Sequence, residues 1–283
     1  MTNPRVAVIP VAGKGTRWMP VTRNVPKEFL PVWRRTSASY AFEEAVNAGF
    51  EEIILVISPE KHDVLDHFMR FDSSDLGPQY AGESLSELHH RVKVRACIQE
   101  TPRGLGDAIL CAEQDVAGRP FGVLLPDEVL MTNGIAMLDP HTPSVLLMEV
   151  PFSQRSNYGI VKGEMVDGAF IINDLVEKPE PALAPSSLAV TGRYTFTPEI
   201  FDYLRTQQPG KGGEIQLTDA MRRYTQAHPI HGFIYRDVRY DAGQPLGLLT
   251  ASVDFALRDK SYGSEVRQMI LTLLDQHKPS ETE

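Results

Sequence analysis

The sequence has almost no cysteine, no long apolar run and no surplus of basic residues, and each shortage removes a class of protein. Only Cys97 and Cys111 occur among 283 residues. Their spacing fits no metal site, and their apolar settings suit small buried side chains rather than a disulfide framework. A reducing compartment is expected. Nowhere do about 18 apolar residues follow one another, so no membrane span is expected. The opening MTNPRVAVIP lacks the basic start, apolar stretch and small-residue cleavage site of a secretory signal, which points to the cytoplasm. A net charge of −9 and a pI near 5.4 argue against broad binding to nucleic acid or anionic membrane, which needs basic surface. Any polyanion held here is small and held locally.

Familiar catalytic signatures are missing as well. The Walker loop needs Gly-Lys followed by Ser or Thr, whereas Lys14 is followed by Gly15; the dinucleotide fingerprint fails because Trp18 stands where its third glycine belongs. No nucleophile elbow supports Ser-His-Asp hydrolysis. His62, His67, His89, His90, His228 and His231 show neither ligand nor triad spacing and are assigned to surface or structure.

What the sequence does carry centres on residues 6–32, VAVIPVAGKGTRWMPVTRNVPKEFLPV. A β-branched run breaks into a loop with Gly13 and Gly15, followed by Arg17 and Lys27. A strand feeding a glycine loop, with backbone N–H groups and cations nearby, is a physical recipe for holding phosphate. Further on, apolar strands are predicted at 53–57, 92–98, 121–125, 145–150, 159–162, 170–176, 190–196 and 233–238. Helices are predicted at 39–49, about 60–70, 104–112, 198–205, 214–227, 246–258 and 264–276, with exposed loops at 72–83 and 180–187. The 131–143 connection is too short for a full crossover helix.

Uniformly apolar strands separated by helices imply a parallel sheet covered on both faces. The fold expected is α/β, a Rossmann-like, mixed but mainly parallel sheet flanked by helices, with a C-terminal helical elaboration. Ligands in such sheets gather at the carboxyl ends of strands. Arg17, Gln99 and Asp127 all fall there. Asp241 lies in a second sharp turn, and two carboxylates brought together beside a phosphate loop suit Mg²⁺, which shares its oxygen shell with substrate phosphates. Lys178, in Glu177-Lys178-Pro179, emerges at a strand end.

Several ordered blocks, 7–32, Gln99 with 104–112, 124–127, Tyr158-Gly159, 177–179, Gly192-Arg193, 213–220 and 240–243, resemble the bacterial UTP–glucose-1-phosphate uridylyltransferases, within the sugar-1-phosphate nucleotidyltransferases. The resemblance covers most of the chain. It implies a nucleotidyltransferase domain over 1–260, with a nucleotide half at about 1–130, a sugar-phosphate half at about 144–245, and a terminal helix and tail at 261–283. By position it implies that Ala12, Gly13, Gly15, Glu28, Gln99 and Gly104 hold the nucleotide. Arg17 and Lys27 would bind the triphosphate, Lys178 the sugar phosphate, and Asp127 and Asp241 Mg²⁺. Tyr158, Gly159, Glu177 and Gly192 would line the glucose pocket. The implied substrates are UTP and glucose 1-phosphate, and the implied assembly a homo-oligomer, dimer or tetramer.

Three departures from the family pattern stand out. RRTSAS at 34–39 replaces the usual Asp-Lys-Pro segment, Pro245 stands where a lysine often follows the Asp-x-Gly turn, and the 131–143 connection is short. Two alternatives stay open at this level. One is the same chemistry with another base or sugar, for instance dTTP; the other is a weakly active paralogue that binds and regulates an active partner. The second predicts loss of a charged site residue, yet Arg17, Lys27, Asp127, Lys178 and Asp241 are all present.

Overall fold

Strand β1 (Val6–Pro10) is buried from both sides, and its alternating side chains divide between two cores. Ala7 and Ile9 join one, Val6 and Val8 the other, as a period-2 strand inside a three-layer fold requires. The computed structural model describes residues 5–69 and 90–277. The loop expected at 72–83, and His89, lie outside the described residues.

After β1 the chain forms a small hairpin, β2 (Pro31–Val32) and β3 (Arg35–Thr36), then α1 (Ser37–Asn47), β4 (Glu52–Ile57), α2 (His62–Met69) and β5 (Lys93–Ile98). Next come α3 (Leu105–Cys111), α4 (Glu113–Val116), β6 (Phe121–Leu124), β7 (Glu128–Leu130), β8 (Ser144–Glu149), β9 (Gly159–Val166), β10 (Ala169–Glu177) and β11 (Leu188–Phe196). The C-terminal part adds α5 (Ile200–Arg205), α6 (Leu217–Tyr224), β12 (Ile230–Ile234), β13 (Arg239–Asp241), α7 (Pro245–Arg258) and α8 (Gly263–Gln276).

Among the described residues one nine-stranded sheet runs in the order β5-β4-β1-β6-β11-β8-β12-β10-β9. β5, β4, β1 and β6 are parallel to one another. From β6 onward the pairings with β11, β8, β10 and β9 are antiparallel, with β12 and β8 the parallel exception. The sheet is therefore mixed, as expected, and its parallel part is the half that carries the glycine loop. One core contains residues of α1 and α2, the other residues of α3, α5 and α6. Buried side chains of this kind stabilise a fold by roughly 1.5–3 kcal/mol each. No helix of the described residues is long and apolar enough to cross a membrane.

Several boundaries differ from expectation for local reasons. The RRTSAS segment forms the second strand of the β2–β3 hairpin and the cap of α1, where Thr36 Oγ1 accepts from Ser39 N at 3.3 Å; the helix therefore starts at Ser37. The strand expected at 233–238 is met only at 233–234, where β12 ends; Tyr235 then turns inward to hydrogen-bond Thr132, and β13 begins at Arg239. Residues 131–143 hold only a 3₁₀ turn at Ile135–Met137. The two cysteines are free and half-buried, and burial pushes the Cys97 thiol up to about 12.

Arg193, fully buried on β11, ties α1 to the turn after β6. Its Nε lies 3.0 Å from both Glu44 carboxylate oxygens, and its Nη2 donates to Glu44 Oε2 at 2.8 Å. The remaining donors reach Leu125 O at 3.0 Å, Gly192 O at 3.2 Å and Glu128 O at 2.7 Å. All five guanidinium N–H groups are used, and Glu44 Oε1 also accepts from Ile135 N at 2.8 Å. Removing one partner of such a pair leaves an uncompensated buried charge. Arg193→Met is expected to lower stability by about 3–5 kcal/mol, read as a fall in the urea midpoint, and adding Glu44→Met should recover part of the loss. A midpoint unchanged in the single variant would refute the hub.

Candidate active site

The carboxyl ends of the parallel strands meet at a cleft of about 400 Å³. Its walls include Ala12, Gly13, Gly15, Lys27, Gln99, Gly104 and Asp127, so seven of the expected residues are brought together. Lys14 and Glu214 also line it. Among the described residues, the backbone N–H groups of Ala12, Gly13, Lys14 and Gly15 have no protein acceptor. Successive N–H groups of that kind form an anion-binding concavity. Arg17, on the 3₁₀ turn Thr16–Trp18, is exposed and acts on Lys27 and Asp127 through its charge.

Gln99 is buried at the end of β5, where its Nε2 donates to Asp107 Oδ2 at 2.7 Å and Gly104 O at 3.2 Å. Glu28 does not line the cleft wall. It lies beneath the loop, 1% exposed, and accepts from Lys61 Nζ at 2.7 Å. Burial pushes its carboxyl up, against the pull of Lys61 and Lys27.

Lys27 and Asp127 form an ion pair, Nζ to Oδ2 at 2.6 Å, that joins the glycine-loop region to the turn after β6. Burial works against both charges. Lys27 nonetheless holds the Asp127 carboxyl below its usual range, and Asp127 with Glu28 holds the Lys27 ammonium above its own.

Asp127 and Asp241 do converge. A Cβ built on Gly243 would stand 2.9 Å from Asp127 Oδ2 and 3.0 Å from Asp241 Oδ1, so only glycine leaves the space between them open. Ala242 N donates to Asp127 O at 2.8 Å, and Gln244 Nε2 to Asp241 Oδ2 at 2.8 Å. An all-oxygen pair suits a hard divalent cation. Among the described residues no group of three or more His, Cys, Asp or Glu side chains could hold a metal ion. The pair thus fits a cation that takes its other ligands from phosphate and water.

The residues expected on the sugar side gather around the β9–β10 strand ends and Gly192. Gly159 and Glu177 face each other at the paired ends of β9 and β10, and Thr218 Oγ1 donates to Glu177 Oε2 at 2.7 Å. Lys178 Nζ lies 3.2 Å from Glu177 Oε1. Its backbone has φ +44°, the left-handed region rarely taken by a side-chain-bearing residue, and its N–H donates to Tyr158 O at 3.0 Å. Strain of this kind clusters at functional sites. Gly192 has φ +74°, and a Cβ there would meet Glu128 Cγ at 2.8 Å, so the position excludes any side chain.

Sequence reasoning missed the residues that lock this arrangement. Glu128 pairs across β7–β13 with Asp241 and is clamped in a close ion pair by Arg239. Arg239 Nη1 also donates to Tyr158 Oη at 2.9 Å, its guanidinium 4.9 Å over that ring. Burial pushes Glu128 up to about 7, against the opposing pull of Arg239. Glu128 and Arg239 flank Asp127 and Asp241 in sequence, which is the signal that could have found them. Lys61 and Thr218 had weaker signals. Lys61 follows the carboxyl end of β4, where the strand-end rule points.

Residues 6–257 match the family model described as nucleotidyl transferase. The UTP–glucose-1-phosphate uridylyltransferase of Bacillus subtilis (strain 168) is 37% identical over 290 residues, covering 97% of this chain and 97% of that protein. A solved UDP-glucose pyrophosphorylase complexed with UDP-glucose superposes with a TM-score of 0.84 at 33% identity, over 90% of this chain and 100% of that one. A UTP-bound UGPase from Acinetobacter baumannii gives 0.81 at 32% identity, over 95% and 99% of the two chains. With the motif blocks, the cleft and the relatives in agreement, the chain belongs to the nucleotidyl transferase family, among its UTP–glucose-1-phosphate uridylyltransferases.

Proposed function

We infer that the chain converts UTP and glucose 1-phosphate into UDP-glucose and pyrophosphate. The observation that carries this reading is the convergence of Asp127 and Asp241 on one point, with Asp127 in the wall of the cleft that the free N–H groups of the glycine loop also line. That placement suits two phosphate-bearing substrates meeting end to end.

In the reaction, an oxygen of the sugar phosphate attacks the α-phosphorus of UTP in line, the new P–O bond forms, and the bond to the β-phosphate oxygen breaks to release pyrophosphate. A phosphate monoester has a second pKa of about 6, so the nucleophile is already largely dianionic at neutral pH and needs no strong general base. The protein's task is alignment and neutralisation of two approaching anions. We assign Ala12, Gly13, Gly15, Gln99 and Gly104 to the nucleotide, with Glu28 beneath them, and Arg17 and Lys27 to the triphosphate and departing pyrophosphate. Lys178 takes the sugar phosphate, and Tyr158, Gly159, Glu177 and Gly192 the glucose. Members of this family use a divalent metal, and we assign Mg²⁺ to Asp127 and Asp241; when bound it neutralises phosphate charge.

The same reading keeps the nucleotide half at about 1–130, the sugar-phosphate half at about 144–245 and the tail at 261–283. The free cysteines support a cytoplasmic setting, which fractionation would check. On α8, Met269, Leu271 and Leu274 are more than half exposed, which supports a homo-oligomer, dimer or tetramer; a monomeric mass by light scattering would contradict it.

Purified protein given UTP, glucose 1-phosphate and Mg²⁺ is expected to release pyrophosphate, with dTTP and other sugar phosphates used less well. No release above a blank would sink the reading, and Asp241→Asn should lower kcat by roughly 10²–10³. Lys178→Ala is expected to raise KM for glucose 1-phosphate by about tenfold or more, as loss of a charged hydrogen bond does, with KM for UTP little changed. An unaltered KM for the sugar phosphate would remove Lys178 from this role.

A further inference from the structure

The loop of residues 12–15 has open space on two sides. Ala12 and Lys14 border the nucleotide cleft and also a second cleft of about 600 Å³ that reaches Ser58 and Lys61. Beyond the buried Ala12, close packing, which fixes the core strands, therefore does not set the path of this segment. Two side chains brace it: Thr22 Oγ1 donates to Gly15 O at 2.7 Å, and Lys61 holds the part nearer β1. Lys61, just beyond the carboxyl end of β4, has a side chain only 13% exposed. Its Nζ lies 2.7 Å from each of Val11 O, Gly13 O and Glu28 Oε2.

An ammonium carries three N–H donors and no acceptor, so these contacts saturate it. Two belong to the loop, and the third to the turn that carries Lys27. A trans peptide points its N–H opposite to its C=O. By holding the Val11 and Gly13 carbonyls, Lys61 turns the N–H groups of Ala12 and Lys14 away from itself, on residues that line the nucleotide cleft. Neither N–H has a protein acceptor among the described residues. The same ammonium balances Glu28, whose Oε1 has no hydrogen-bond partner among the described residues and whose buried carboxylate would otherwise keep only the charge of Lys27 to offset its burial.

We propose that Lys61 is a positioning residue for the nucleotide. It presets the backbone of residues 12–14 to receive the phosphates of a nucleoside triphosphate, and it touches no reacting atom. The proposal rests on the nucleotide reading of the cleft. It departs from the bland reading of Lys61 as a lysine that merely stabilises the fold, because its three contacts all go to the loop and the adjoining turn.

The test is UTP binding measured at equilibrium, without turnover, on wild type and Lys61→Met. Steady-state KM values for both substrates and a thermal melt accompany it. The expected result is a rise in the UTP dissociation constant of about tenfold or more, the equivalent of one hydrogen bond to a charged group. KM for UTP should rise with it, and KM for glucose 1-phosphate should stay within about twofold. A lysine that only stabilises the fold would lower the melting temperature and leave UTP affinity per folded molecule unchanged, and that result overturns the proposal. If Lys61→Met does not fold, Lys61→Gln, which keeps two donors but no charge, is read by the same ratio. Wild type that binds UTP without making UDP-glucose would sink the function while the affinity ratio still decides Lys61. Wild type that binds no UTP overturns both.

Discussion

The buried guanidinium of Arg193 is the constraint on which the site depends. A charge with no solvent contact must have every donor met, and Arg193 meets its five by gathering Glu44 from α1 and the carbonyls of Leu125, Gly192 and Glu128. Two of those carbonyls flank Pro126 and Asp127. The turn that presents Asp127 is thereby held to the helix packed on one face and to the strand that carries Gly192. Replacing the guanidinium by an apolar group would not simply loosen the core. It would release the peptide groups that aim the carboxylate.

The two lysines of the site already have carboxylate partners within the protein. Lys27 is paired with Asp127 and Lys178 lies beside Glu177, so the lysines assigned to phosphate already share their charge with a carboxylate. That arrangement keeps Asp127 ionised well below neutral pH, the state a hard cation needs. It also means that arriving phosphates exchange partners with existing ion pairs instead of meeting bare charges. For Lys27, whose side chain is only 20% exposed, much of the desolvation is then complete before substrate arrives, in keeping with a preorganised electrostatic site. Arg17, exposed on its 3₁₀ turn, is the contrasting case, a guanidinium still in contact with solvent.

Much of this was legible in the sequence, and the reasons are local. Strands buried on both faces read as continuous apolar runs, so β1, β4, β6 and β8 lie within a residue or two of expectation, and the edge strand β5 is legible from its alternation. The strand-end rule then found Gln99 and Asp127, and the glycine loop announced itself by composition. What stayed hidden depends on pairing over distance. β7 and β13 are three residues each, too short for a period, and exist only because each completes the other. Lys61, Glu128, Arg239 and Thr218 act on other site residues, and no spacing links Lys61 to Val11 and Gly13 or Thr218 to Glu177. Glu28 was placed near the nucleotide by resemblance; its position beneath the loop needed coordinates.

The change from parallel to antiparallel pairing explains why one sheet can serve two substrates. Around β1 the strand order reverses, and loops from β4, β5 and β6 open to one end, the crevice where open α/β sheets bind ligands. Parallel strands all finish at that end, so they supply a floor but no far wall. β11 runs the other way: its residues 193–196 pair with β6, while 188–190 overhang the end of β6 and pair with β8. The overhang reaches Ile160 of β9 through Ala189, next to Gly159 and its partner Glu177. Gly192, at the irregularity between the two pairings, is where the strand bends around Leu125 and Glu128. An all-parallel sheet would have had to build that wall from a long loop, with none of the register that fixes Glu177 opposite Gly159.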